Sequence, residues 1–92
     1  MGEVTLTGFI DIPDAERGRL LPLLDSHISL TRAEPGCLAF SVAETAPGSG
    51  RFAVAERFRD RAAFAAHQRR AAASPWGAAT RHLPRDCRTS EG

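Results

Sequence analysis

Arg32-Ala33-Glu34-Pro35-Gly36-Cys37-Leu38 is the stretch that decides how the chain folds, because it joins a helical pattern to a strand pattern. Pro35 disfavours the helical backbone region for Glu34, so a helix that arrives from the N-terminal side must end here. Gly36 tolerates the positive φ that a tight turn can require. A two-residue alternation follows, and one of its faces carries Leu38, Phe40 and Val42. The stretch therefore predicts a helix end, a turn and a strand start.

Four segments have the alternation or the composition of strands. In chain order they are Val4–Ile12, Cys37–Glu44, Arg51–Phe58 and a weak segment at Asp86–Thr89. A short lead, residues 1–3, precedes them, and residues 90–92 are expected to fray. The turn-forming residues 45–50 make the second and third strands a hairpin.

Helical signals fill the gaps between these strands. The first helix begins near Asp14 and ends before Glu34, but Pro22 predicts either a kink or a second helix with the proline in its first turn. The second helix covers residues 61–70, with Asp60 as its N-cap and an alanine run that extends it. A short third helix begins at Ser74-Pro75.

The order strand, helix, strand, strand, helix, strand predicts one domain, residues 1–92, with a ferredoxin-like α+β sandwich. In this fold a four-stranded antiparallel sheet has its helices on one face. The second and fourth strands are the edges, so Cys37 and Cys87 lie too far apart to form a disulfide. Because both faces of the first and third strands carry apolar side chains, we expect a second copy to pack sheet to sheet as a homodimer.

Composition excludes several classes of partner. The formal net charge is +1 and all twelve basic residues are arginine, which gives no reason to expect nucleic acid or an acidic membrane. A leader and a long apolar run are both missing from the pattern, so neither a signal peptide nor a membrane span is expected. The expected location is the cytoplasm, where both cysteines would be free thiols.

Three stretches together resemble the antibiotic biosynthesis monooxygenase domain family. They are Thr31–Phe40 with its Glu-Pro-Gly-Cys turn, the strand end Glu56-Arg57-Phe58, and the helical Ala63-Phe64-Ala65-Ala66-His67. Ser74-Pro75-Trp76-Gly77 and Pro84-Arg85-Asp86 are similar to the quinol-monooxygenase-like subgroup. The resemblance covers nearly the whole chain.

This resemblance implies a dimeric α+β barrel with a pocket between each sheet and its helices. It also implies oxidation of quinols or aromatic polyketides by molecular oxygen, with no flavin, haem or metal cofactor. The substrate would be a small aromatic molecule, which becomes an electron donor when a base removes its phenolic proton.

His67 and Glu56 are the candidate catalytic residues. His67 lies on the inward stripe of a helix and matches the helical histidine of the family, so it is either the base or a core histidine with a structural role. Glu56 stands in an apolar row, where an isolated carboxylate is costly. It is expected to partner His67 or a substrate hydroxyl, or else to be a structural hydrogen-bond anchor.

Five further residues are candidates for substrate binding. Trp76 and the aromatic rings of Phe40 and Phe64 would wall an aromatic ligand, or would only fill the core. His27 would line the same pocket or lie partly exposed. Arg32 would hold an anionic oxygen or remain solvated at the helix end.

Two absences narrow the chemistry. The chain has no asparagine and no tyrosine. The asparagine of the related haem-degrading and polyketide-oxidising members is therefore missing, which disfavours haem degradation, and a tyrosine proton relay is excluded. Histidines, cysteines and carboxylates are available, but none has the spacing of a metal site.

The alternative to an enzyme is a non-catalytic dimeric module of the same fold, which binds a small molecule or serves as an accessory protein.

Overall fold

Four antiparallel strands form the sheet in the computed structural model, which describes residues 2–92. They are β1 (Val4–Asp11), β2 (Cys37–Glu44), β3 (Arg51–Phe58) and β4 (Arg85–Glu91), in the spatial order β2-β3-β1-β4. The ferredoxin-like topology and the two expected edge strands, β2 and β4, are confirmed. Met1, the first residue of the expected lead, lies outside the described residues.

The fourth strand is longer than its sequence suggests. Ser90 and Glu91, which were expected to fray, pair with Thr5 and Val4 of β1. The Thr5 and Ser90 hydroxyl oxygens lie 2.7 Å apart, and Arg61 forms a 2.8 Å ion pair with Glu91. The expectation of fraying is wrong because pairing with β1 and the ion pair with α2, which local composition does not reveal, hold the C-terminal residues in the sheet.

Helices cover one face of the sheet. A 3₁₀ turn at Asp14–Glu16 precedes α1 (Arg17–Arg32), and α2 (Arg61–Ala73) and α3 (Pro75–Thr80) follow β3. The predicted caps are confirmed, since Asp60 accepts a hydrogen bond from the Ala63 backbone N–H at 2.8 Å and Ser74 accepts one from Gly77 at 3.0 Å. α1 runs continuously through Pro22, so a second helix that begins at this proline is wrong.

The core lies between the helices and the inner face of the sheet. Its fully buried side chains include Phe58 and Leu20, both at 0% exposure. The main apolar cluster joins β1, α1, β3 and α3 through Ile10, Ile12, Leu20, Leu24, Phe52, Trp76 and Leu83. This cluster fixes the position of α3 and therefore of Trp76 above the sheet.

A β-bulge changes the face on which Leu38 lies. Cys37 pairs with Phe58 but Ala39 pairs with Arg57, so the register shifts by one residue at Leu38. Phe40 is 5% exposed, whereas Leu38 is 45% exposed. The expectation that both share one face is wrong because the extra residue reverses the alternation before Phe40.

Gly36 is required for close approach rather than for a left-handed backbone. Only Gly48 and Gly50 have positive φ among the described residues, so the expected reason for Gly36 is wrong. A Cβ built on Gly36 would lie 2.3 Å from the Cβ of Ala63 on α2. The turn after α1 is therefore pressed against α2, and this contact positions the site described below.

Candidate functional site

A cavity of about 360 Å³ lies between the sheet and the helices, at the small end of the range for ligand pockets. Apolar groups make up most of its wall, and polar groups come from both layers. The side chains that line it are Leu6, Ile10, His27, Phe40, Val42, Val54, Glu56, His67, Gln68, Ala71, Ala72, Trp76, Gly77, Arg81, Arg85 and Cys87. The two layers of the chain thus form a mostly apolar cavity with room for a small molecule.

His67 stands at the wall of this cavity and is 2% exposed. Its ring centroid lies 4.8 Å from that of Phe58 and 5.7 Å from that of Phe40. Nδ1 lies 3.1 Å from Glu34 Oε1, and Nε2 lies 3.7 Å from Glu56 Oε1. Because a carboxylate only accepts hydrogen bonds, Nδ1 donates to Glu34 and the neutral ring keeps its lone pair on Nε2.

Glu34 is the residue that sequence reasoning missed. The turn that ends α1 places its carboxylate over α2, where it accepts hydrogen bonds from His67 and from Arg70 Nε. Arg70 also donates to the buried Thr31 hydroxyl at 2.8 Å. The available signal was the spacing of His67 and Arg70, three residues apart on one helix face, opposite a carboxylate at the Pro-Gly turn.

Glu56 does not have the hydrogen bond expected from the sequence. The 3.7 Å distance to His67 is too long, so Glu34 is the partner that orients the ring. Glu56 Oε1 is buried and has no hydrogen-bond partner within the described residues. Burial, together with the negative charge of Glu34, raises the pKa of Glu56 to about 7. At neutral pH this carboxyl group therefore exists in both protonation states, beside Nε2.

The neutral form of the His67 imidazole, which can act as a base, is favoured in the folded protein. Burial lowers the pKa of His67, although the hydrogen bond and the charge of Glu34 act in the opposite direction. The imidazole is therefore neutral near pH 7, and its free Nε2 can accept a proton from a ligand in the cavity. Once Nε2 has accepted a proton, the positive imidazolium lies close to the Glu56 carboxyl group, which stabilises that charge when it is ionised.

His27 is more buried than the sequence suggested. It is 6% exposed rather than partly exposed, because α1 turns it toward the sheet, and its Nδ1 has no hydrogen-bond partner among residues 2–92. Its ring stacks on Trp76, with centroids 5.9 Å apart and an interplanar angle of 20°. Burial is the main cause that lowers the pKa of His27 to about 4, so the ring is neutral. Nδ1 of His27 is therefore a polar atom without a partner among the described residues, in the aromatic part of the cavity wall.

The remaining candidates divide into two groups. Trp76 and Phe40 line the cavity together with His27. Phe64 instead packs edge-on against Phe58 at 5.8 Å, and Arg32 donates from Nε to the Phe40 carbonyl at 3.0 Å. Neither side chain is part of the described wall, since Phe64 packs against the Phe58 ring and the Arg32 guanidinium is held at the edge of β2. Contact of these two residues with a ligand therefore stays a prediction.

We expect Glu56→Gln to change the pH dependence of stability. The pKa of Glu56 rises from 4.5 to about 7 on folding, so the folded protein loses up to about 3 kcal/mol of stability as pH rises through this interval. Glutamine removes this loss, because it carries no charge. The variant should match wild type near pH 4.5 and exceed it at pH 8, as measured by urea unfolding. Glu3→Gln, an exposed change of the same kind, is the control; an equal pH response in both variants would contradict the account.

The chain matches a known protein family over most of its length. The model of the family described as antibiotic biosynthesis monooxygenase matches residues 4–78. The chain belongs to this family. The matched residues include Glu34, Glu56, His67 and Trp76, so the family assignment covers all four of these positions. A comparison with curated proteins finds no match.

Solved structures of the family share the fold. Rv0793 from Mycobacterium tuberculosis is 28% identical, with a TM-score of 0.75 over 99% of this chain and 95% of that one. A candidate antibiotic biosynthesis monooxygenase from Deinococcus radiodurans is 24% identical, with a TM-score of 0.77 over 97% and 91% of the two chains. A similar candidate from Caulobacter crescentus is 15% identical, with a TM-score of 0.79 over 99% and 90%. At these identities the two candidates support the fold alone.

Residues 2–92 have neither a membrane-spanning helix nor a cluster of metal ligands. None of the described helices combines the length and the apolar character needed to cross a membrane. No group of three or more His, Cys, Asp or Glu side chains in the same residues is arranged to hold a metal ion.

Proposed function

We propose that this family member is a monooxygenase of the quinol-monooxygenase-like subgroup, which oxidises a quinol or a polycyclic phenol with molecular oxygen and without a cofactor. The observation that carries the proposal is the placement of His67. Its ring is buried, Nδ1 is held by Glu34, and the free Nε2 faces Glu56 at the wall of a mostly apolar cavity. The family assignment supports the same reaction class.

The proposed reaction begins with proton transfer. Nε2 of His67 accepts the proton of a phenolic hydroxyl, and the resulting phenolate donates electrons to O₂ far more readily than the neutral phenol. A carbon–oxygen bond forms to give a peroxide, and its O–O bond then breaks. One oxygen atom stays in the product as a hydroxyl or carbonyl group. The other leaves as water, which takes up the proton held by His67 and the hydrogen lost from the carbon that is oxygenated. The substrate supplies all four electrons, so no external reductant is consumed.

The surroundings of His67 suit these steps. Glu34 holds the ring in one tautomer and stabilises the imidazolium that forms after proton transfer. Glu56, with a pKa of about 7, can accept or donate a hydrogen bond at the substrate hydroxyl. The aromatic walls of Trp76, His27 and Phe40 exclude bulk water and hold a planar ring. The electron-rich substrate takes the place that a flavin or a metal has in other oxygenases.

Oxygen consumption tests this proposal. Purified protein with a metal chelator and no added cofactor should consume O₂ above the spontaneous rate with hydroquinones, naphthalene diols or anthrones, with one O₂ used per product. Uptake that requires an added flavin or metal would overturn the cofactor-free reaction. Binding seen as a change in the fluorescence of Trp76, the single tryptophan, without uptake across the panel would favour the non-catalytic binding module.

We also propose that the protein is a cytoplasmic homodimer whose copies meet through the open face of the sheet. This face, opposite the helices, carries Phe9, which is 39% exposed, and the exposed alanines 39, 43 and 55. The alanine side chains are small and leave room for a second sheet, and Phe9 adds apolar surface for it to cover.

The proposed cytoplasmic location rests on the cysteines. Both cysteines of the chain are free thiols, which persist in a reducing compartment.

Sedimentation velocity tests the dimer. The wild-type chain should sediment as a dimer at micromolar concentration, and Ala55→Glu, which places a charge at the centre of the open face, should sediment as a monomer. Ala66→Glu on the exposed side of α2 is the matched control and should remain dimeric. A wild-type monomer would contradict the proposal.

A further inference from the structure

Two arginines line the cavity in addition to His67, Glu56 and the aromatic side chains. Arg81 follows α3 directly and Arg85 begins β4, and both contribute to the cavity wall. Seven of the ten other arginines form ion pairs with carboxylates, whereas in the part of the chain that the structure describes neither Arg81 nor Arg85, the two that line the cavity, has a carboxylate within 4.0 Å. These two positive charges are thus unpaired beside a ligand-sized space.

Arg85 is held so that it faces the cavity. Its cross-strand partner on β1 is Ile10, a core residue, so its side chain extends from the helix-covered face of the sheet. Nη2 donates a hydrogen bond to Thr80 Oγ1 at 2.6 Å, and Thr80 in turn donates to the Trp76 carbonyl at 2.7 Å. These hydrogen bonds use one of the five N–H groups of Arg85 and fix its guanidinium next to the aromatic wall.

Arg81 approaches from the helical side. Its Nη2 donates to the Ala72 carbonyl at 3.1 Å, which ties the end of α3 to the last turn of α2. Ala72 is itself part of the cavity wall. The remaining N–H groups of this exposed guanidinium are free to bind a ligand at the outer end of the cavity.

The charges in the cavity favour an anion. Two guanidinium charges oppose at most one carboxylate charge, that of Glu56, since His27 and His67 are neutral near pH 7. The positive charge of Arg85 also acts within the cavity, because after burial it is one of the smaller causes that lower the pKa of His27. Arg85 is exposed as a residue, but burial on its cavity side lowers the pKa of its guanidinium, so the charge gains from an anionic partner.

We propose that Arg81 and Arg85 form an anion subsite at the outer end of the cavity, which selects aromatic substrates that carry a carboxylate. The phenolic hydroxyl of such a substrate lies at the His67–Glu56 end and its carboxylate lies on the two guanidinium groups, which bind carboxylates with paired N–H donors. This inference rests on the proposed function only where it calls the bound acid a substrate.

Binding of a matched pair of inert ligands tests the subsite without turnover. Naphthalene-2-carboxylate and naphthalene-2-carboxamide have the same shape and differ in charge. Calorimetry with the wild-type chain should show the acid bound about tenfold or more tightly than the amide, because hydrogen bonds to charged groups are the stronger class. The difference should shrink as salt concentration rises.

Three variants identify the groups responsible. Arg85→Gln and the double variant with Arg81→Gln should weaken binding of the acid by about tenfold or more and leave binding of the amide within about twofold. Arg69→Gln removes the same charge from the exposed side of α2 and should change neither ligand. Circular dichroism confirms that each variant is folded.

Several results would overturn the subsite. Equal affinity of the wild-type chain for acid and amide would do so, as would no binding of either ligand. An equal loss in Arg69→Gln would show that only the overall charge matters. Selective binding of the acid without oxygen uptake by any carboxylated quinol would support the subsite and refute the monooxygenase, so the two proposals fail separately.

Discussion

Replacement of His67 by glutamine should lower kcat for quinol oxidation by about 10²- to 10⁴-fold, the usual contribution of a positioned general base. Glutamine keeps a polar side chain of similar reach, so it can still hydrogen-bond to Glu34. It cannot accept a proton near neutral pH, and deprotonation of the substrate must then rely on solvent. The measurement is the initial rate of oxygen uptake at saturating quinol, together with the affinity for an inert ligand.

His82→Gln is the matched control for this experiment. His82 is exposed and contacts Glu16 through Nε2 at 2.9 Å, outside the cavity. Its replacement should leave both kcat and the unfolding midpoint unchanged. A His67→Gln protein that binds ligand and oxidises quinol at the wild-type rate would show that His67 is a structural histidine.

Replacement of Phe58 by alanine should have the largest effect on stability, a loss of about 3–5 kcal/mol. The Phe58 ring is 0% exposed and packs between His67 at 4.8 Å and Phe64 at 5.8 Å. Alanine leaves a cavity beneath α2 that neighbouring side chains cannot fill. Since small domains are stable by about 5–15 kcal/mol, urea should unfold the variant at a much lower concentration.

Leu30→Ala provides the comparison for Phe58→Ala. Leu30 is a large apolar side chain of α1 but is 55% exposed, so its truncation should cost well under 1 kcal/mol. If both variants lost the same stability, the packing described for Phe58 would be incorrect. The side chains also differ in function, because only the loss of Phe58 removes support from the His67 ring.

Local signals predicted most of the fold. The caps at Asp60 and Ser74 and the breaker at Pro35 act within a few residues, so the starts of α2 and α3 and the end of α1 could be derived from the sequence. The start of α1 could not, since a 3₁₀ turn at Asp14–Glu16 precedes it where an α-helix was expected. Alternation located β2 and β3 with their observed bounds. The bulge at Leu38 could not be derived, because it depends on how β2 pairs with β3 rather than on the composition of either strand.

The candidate site was only partly predictable for a similar reason. His67 and Glu56 stood out as polar residues within apolar patterns, a signal that each strand or helix carries by itself. The contact of Glu34 with His67 joins residues 33 positions apart, and it depends on the close approach of Gly36 to Ala63. The pairing of Arg81 and Arg85 around the cavity likewise depends on the docking of α3 against the sheet. Such contacts are properties of the assembled layers.

The most direct test of the central claim is oxidation of a quinol under isotopically labelled dioxygen, with mass spectrometry of the product. The account predicts that the wild-type chain and His82→Gln each transfer one labelled oxygen atom into the product, without any added cofactor. It predicts that His67→Gln forms this labelled product at least about 10²-fold more slowly than the wild-type chain. A product without the label, or labelled product formed equally by His67→Gln, would contradict monooxygenation by this cavity.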